Sequence, residues 1–149
     1  MSPKVKQAVE RFNMGFNCSQ AVFGSYSEQF GLDSQTAFKV ATGFGGGMRM
    51  SETCGAVTGA FMVLGLKYGN TMAGNNRGKE KTYEKIQEFT KRFKTRNGSV
   101  TCKDLLDCDI NTSEGMQKAL DSGLFTSICP KMVQTAAEIL EEIIAEDLQ

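Results

Sequence analysis

The sequence predicts an all-α protein: one compact multi-helix bundle with short connecting helices and glycine-rich loops. Three observations carry that expectation. Apolar residues recur at spacings of three and four along most of the chain and almost nowhere alternate as in a half-buried strand. Glycine, asparagine and proline interrupt those stretches at intervals of about one helix length. The 149 residues suit a single domain, residues 1–149, with no internal repeat, low-complexity tract or linker.

Val5, Ala8, Val9 and Phe12 form a first apolar stripe that breaks at Gly15. Asn17 with Gln20 has the form of a capping box, opening a second helix that runs to about Phe30 and stops at Gly31. Ser34 can cap a third helix carrying Ala37, Val40, Ala41 and Phe44. The run GFGGG, Gly43 to Gly47, then predicts a loop, because four glycines in five residues hold no regular element. Ser51 is expected to restart the helix, with Cys54, Val57, Phe61, Leu64 and Tyr68 on its inward stripe. A long helix from about Gly78 to Arg96 puts Tyr83, Ile86, Phe89, Thr90 and Phe93 on one side and ends at Asn97 and Gly98. Short helices follow Thr101 and Ser113. Pro130 opens a final helix whose apolar face includes Val133, Ala136, Leu140 and Ile143.

Composition narrows the function classes. Lysine plus arginine equal aspartate plus glutamate, 17 against 17, so no net field draws the chain to nucleic acid or an anionic membrane. The N-terminus lacks the apolar core of a signal peptide and no stretch is long and apolar enough to span a bilayer, which points to the cytoplasm. In that reducing setting five cysteines suggest reactive or metal-binding sulfur rather than a disulfide framework. The absence of histidine excludes Cys-His dyads, Ser-His-Asp triads and imidazole metal ligands.

Four cysteines fall at predicted helix starts. Cys18 follows the cap Asn17, Cys54 lies three residues after Ser51, Cys102 follows the cap Thr101, and Cys129 occupies the cap before Pro130. Free amides and the positive end of the helix dipole stabilise thiolate there, so all four, Cys54 in particular, are expected to titrate below the usual thiol value. Cys108 sits at the end of a short helix between Asp107 and Asp109, where dipole and charge both oppose ionisation. Gly55 and Gly59 each weaken their helix by about 1 kcal/mol relative to alanine. Such a cost implies close approach, either of a neighbouring helix or of a bound cofactor. The run GFGGGMR is a flexible connection or, with Arg49, an anion-binding nest.

The basic stretch from Arg77 to Arg96 and the acidic C-terminal helix read first as solvated faces. Their opposite charge also admits contact within the bundle or across a homodimer.

In order, Asn17-Cys18-Ser19-Gln20, Cys54-Gly55-Ala56-Val57-Thr58-Gly59, Cys102-Lys103-Asp104-Leu105-Leu106 and Cys129-Pro130 resemble the redox-active family labelled C_GCAxxG_C_C over nearly the whole chain. The resemblance implies a small helical protein in which Cys18, Cys54, Cys102 and Cys129 form the redox set, with Cys108 outside it. Two mechanisms follow. One is thiol–disulfide exchange or electron transfer with an unidentified redox partner. The other is a metal-binding module in which the four thiolates hold a [2Fe-2S] cluster or zinc. Against the first stands the missing C-x-x-C; against the second, separations that match no ferredoxin or zinc-ribbon pattern.

Overall fold

The computed structural model of the chain describes residues 1–148. It is an all-helical bundle built from α1 (Pro3–Asn13), α2 (Cys18–Tyr26), α3 (Ser34–Ala41), α4 (Gly55–Tyr68), α5 (Arg77–Asn97), α6 (Cys102–Leu106), α7 (Ser113–Asp121), α8 (Leu124–Ser127) and α9 (Cys129–Glu146). No helix among the described residues is long and apolar enough to cross a membrane.

Helix α4 is the centre, packed against α2, α5 and α9. Its Ala56, Val57, Ala60, Val63 and Leu64 are wholly buried, so it is apolar around most of its circumference rather than along one stripe. Small residues let its neighbours come near. A side chain at Gly59 would put a Cβ 2.7 Å from the Ser19 carbonyl oxygen and 3.2 Å from the Ser19 Cα, so this glycine exists for the α2–α4 contact. Helix α9 closes the bundle across α1, α2, α4 and α5, burying Val133, Ala136, Ile139 and Leu140.

Several boundaries differ from the sequence expectation, each for a local reason. Asp33 rather than Ser34 caps α3, accepting from the Thr36 amide at 2.9 Å, and Thr112 rather than Ser113 caps α7, accepting from the Gly115 amide. Helix α2 ends at Tyr26, and one tight turn over Glu28–Phe30 reaches Gly31, whose φ of 91° ends the segment as its glycine predicts. Helix α4 starts at Gly55, not after Ser51, because Ser51 itself has a left-handed φ of 56°. Phe89 and Phe93 are buried as expected, but Tyr83 is 57% exposed and the buried face of α5 runs through Thr82 in its place. The four-residue α8 is too short to carry a periodic signal in the sequence.

The charged faces of α5 and α9 meet within the chain. Arg92 pairs with Glu88 at 2.8 Å and Glu146 at 2.9 Å, Arg96 with Glu142 at 2.6 Å, and Lys85 with Asp147 at 2.8 Å. Exposed pairs of this kind contribute up to about 1 kcal/mol each, so they set the register of two helices more than they stabilise the fold. They also answer the opposite charges internally, which removes the charge argument for a homodimer.

Two glycines of α4 should respond in opposite directions to one methyl group. Gly59→Ala is expected to destabilise the protein by about 1–3 kcal/mol through overpacking against Ser19. Gly65→Ala, which meets nothing within 4 Å, should stabilise it by about 0.5–1 kcal/mol through helix propensity. Urea denaturation of the two variants beside the parent measures both signs.

Candidate functional site

The four helix-start cysteines are brought together by the ends of four helices. Asn17 caps α2 in a complete capping box: its side chain accepts from the Gln20 amide at 2.9 Å, and the Gln20 side-chain oxygen accepts from the Asn17 amide at 2.9 Å. The same two side chains donate to the Thr42 and Phe38 carbonyls, each at 3.0 Å, which fixes the start of α2 against the end of α3. Cys18 is therefore the first residue of a firmly anchored helix.

Cys54 and Cys102 are joined by a feature that the sequence did not disclose. The extended residues before α4 and α6 form an isolated antiparallel bridge between Thr53 and Thr101. The Cys54 amide donates to the Val100 carbonyl at 2.7 Å, and the Cys102 amide donates to the Glu52 carbonyl at 2.6 Å. Cys54 takes the cap position of α4, while Cys102 is the first residue of α6, with Thr101 as cap. Cys129 is the first residue of α9, not its cap; Ile128 stands there, and Pro130 follows where a missing amide costs little.

The glycine run is an ordered, left-handed turn, not a flexible link. Gly46, Gly47, Met48 and Arg49 have φ of 63°, 62°, 59° and 56° in succession. Glycine adopts this freely, but Met48 and Arg49 each cost roughly 1–2 kcal/mol in it. Space explains the glycines. A Cβ at Gly45 would overlap the Asn17 side chain, and one at Gly47 would come within 2.9 Å of both the Cys102 Cβ and the Glu52 carbonyl oxygen.

These elements enclose a cavity of about 240 Å³. Cys18, Cys54, Cys102 and Cys129 all line it, among apolar walls that include Leu106, Ile110 and Phe125. Cys108 is not among the lining residues; it lies beyond the left-handed Asp107 that ends α6. Gly55 is in the wall, and the group that approaches it belongs to the protein: a Cβ there would overlap the Cys18 sulfur. Gly59 is absent from the wall and faces Ser19, as described above.

The four sulfurs are not equivalent. Cys18 is pulled down to about 7, chiefly because the Cys54 thiol donates to it, with the amides of Gly46 and Ser19 also helping against burial. Cys54 is pushed well above the ordinary thiol range, first because its proton is held between the two sulfurs, then by burial and the Cys18 charge. Cys102 is pushed up to about 11 and Cys129 to about 12, in both cases mainly by burial and then by the charge of Cys18. The expectation of a low value at every helix start, and at Cys54 above all, is thus corrected. Neighbouring thiols share one negative charge, and Cys18 has the better set of donors for it. At Cys102 and Cys129 burial outweighs the helix terminus.

Among the described residues, no three His, Cys, Asp or Glu side chains are arranged to hold one metal ion, so the four cysteines are not set out as a tetrahedral zinc site.

A family model described as "putative redox-active protein (C_GCAxxG_C_C)" matches residues 16–143, which include all five cysteines. No curated protein and no solved structure matches the chain.

The inequality of the sulfurs has a direct readout. In a variant retaining only Cys18 and Cys54, the iodoacetamide alkylation rate of Cys18 should rise tenfold per pH unit at acid pH and level off near the value of about 7. Cys54→Ala should move that inflection upward, toward or past about 8.5, by removing the donor. An unmoved inflection would show that the backbone amides alone set the thiolate.

Proposed function

The chain belongs to the C_GCAxxG_C_C family of redox-active proteins, and from that membership we propose that it performs thiol–disulfide exchange with Cys18 as nucleophile and Cys54 as resolving thiol. One observation carries the reading: two cysteines remote in sequence line one cavity, and the Cys18 sulfur lies against Gly55, the residue next to Cys54, which leaves room for it. No local C-x-x-C is then needed, because the bundle supplies the proximity.

The reaction balances within the pair and its disulfide substrate. The Cys18 thiolate attacks one sulfur of the substrate, a new S–S bond forms, and the other substrate sulfur leaves as thiolate. That leaving group takes the Cys54 proton. The Cys54 sulfur then attacks the Cys18 sulfur, which forms the Cys18–Cys54 disulfide and releases the second substrate half as a thiolate. Two electrons pass from the pair to the substrate, and a reducing thiol run in the opposite direction restores the dithiol. Such a cycle suits a reducing compartment such as the cytoplasm. Cys102 and Cys129, protonated at neutral pH, line the same cavity.

The second reading, a four-thiolate metal module, is favoured by the shared cavity and its count of four sulfurs, and disfavoured by their arrangement. Metal analysis of anaerobically purified protein separates the two, since stoichiometric iron or zinc would select the module.

Peptide mapping after stepwise oxidation with hydroxyethyl disulfide tests the exchange reading. The first disulfide should join Cys18 to Cys54. Cys54→Ser should stop at a mixed disulfide on Cys18, Cys18→Ser should lose most of the reactivity at neutral pH, and Cys108→Ser should behave like the parent. A first disulfide that includes Cys108, or oxidation that proceeds equally well without Cys18, would refute the assignment.

A further inference from the structure

Arg49 is the part of the cavity that thiol exchange leaves unexplained. Among the described residues lining the space it is the only side chain with a fixed charge, and no described carboxylate pairs with it. Its backbone is held left-handed at φ 56°, a conformation that a non-glycine residue adopts at a cost. Its side chain lies back over Gly46: a Cβ on that glycine would sit 3.5 Å from the Arg49 Cδ and 3.9 Å from its Nη1. Gly46 lines the cavity together with Cys18, and its backbone helps to hold the Cys18 thiol down. The guanidinium and the nucleophile thus border one glycine from two sides.

The cavity is also small. At about 240 Å³ it lies below the roughly 300–1,000 Å³ of drug-sized ligand sites, and its walls are otherwise apolar or neutral. A folded protein cannot place more than a narrow tip in such a space, whereas a small disulfide fits it. An anionic substrate would ordinarily be repelled by the Cys18 thiolate, and a guanidinium on the same cavity wall offsets that repulsion.

Building on the exchange reading, we propose that the substrate is a small disulfide carrying a carboxylate or comparable anionic group, and that Arg49 binds this group while Cys18 attacks the sulfur. Arg49 is a substrate-binding residue here and takes no part in electron transfer. The electron and proton balance is that of the exchange described above.

Three probes of similar size and different charge test the proposal: dithiodiglycolate, hydroxyethyl disulfide and cystamine, each mixed with the reduced full chain and followed by appearance of the Cys18–Cys54 disulfide. The parent should favour the anionic probe over the neutral one, each rate being compared with that of a free low-pKa thiol under the same conditions. Arg49→Gln should slow the anionic probe about tenfold, the worth of one charge-assisted contact, and change the neutral probe little. Arg49→Lys should restore part of the difference, and high salt should shrink it in the parent. Equal normalised rates for all three probes in the parent, or the same charge ranking in parent and Arg49→Gln, would overturn the role of Arg49 while leaving exchange intact. Failure of every probe to form the Cys18–Cys54 disulfide would instead refute the exchange reading. Because the parent's own ranking is decisive, the proposal stays testable even where Arg49→Gln folds poorly; circular dichroism checks that.

Discussion

Two backbone hydrogen bonds across the Thr53–Thr101 bridge hold the site together. They tie the first residues of the buried central helix to those of a short surface helix, and each bond involves the amide of a cysteine. Five-residue α6 could not hold a position on its own, since a helix that short gains little from propagation. Pairing with the extended residues before α4 gives it a fixed anchor. The left-handed turn from Gly46 to Arg49 then fits against that anchor, with no space at Gly47 for any side chain, and the capping box of α2 secures the opposite wall. Without the bridge, the packing of Cys102 and Leu106 against Ile110 and Ala119 would be left to hold α6 near Cys54.

Within this frame, burial and hydrogen bonding divide the labour among chemically identical groups. All four cysteines stand at helix starts, but a helix terminus offers only a few free amides, and removing a charge from water opposes them. Cys18 wins because it receives a neighbouring thiol as well as backbone donors. The others remain protonated, and in the exchange reading they supply a proton, a second sulfur, or both. A cluster of four equally activated thiolates would repel itself; one thiolate among three thiols does not.

Much of this was legible in the sequence. The helical class, the capping box at Asn17, the glycine stops at Gly31 and Gly98, and the position of four cysteines at helix starts follow from periodicity and cap chemistry, which are local properties. What could not be read was non-local. The bridge joins residues far apart in the chain, and a lone pair of extended threonines leaves no alternating pattern to detect. The choice of Cys18 over Cys54 depends on which sulfur meets which amide. Gly55 and Gly59 look alike in sequence, four residues apart on one helix, yet one gives way to a sulfur on the cavity wall and the other to the backbone of α2. The opposite charges of the acidic and basic helices admitted contact within the bundle or between copies, and only the folded chain shows them paired within it.

The absence of any histidine, together with a cavity wall that has no carboxylate, bears on the energetics of the redox couple. In the exchange reading, no acid–base group on that wall other than sulfur is available to buffer the proton. Above the Cys18 value of about 7 the reduced pair holds a single proton, and below it two. Its midpoint potential should therefore fall by about 30 mV per pH unit on the alkaline side and about 59 mV on the acid side, the slopes of a two-electron couple that takes up one or two protons. The pair would become a stronger reductant as its surroundings turn alkaline, with the bend in that dependence set by the hydrogen bond between two sulfurs.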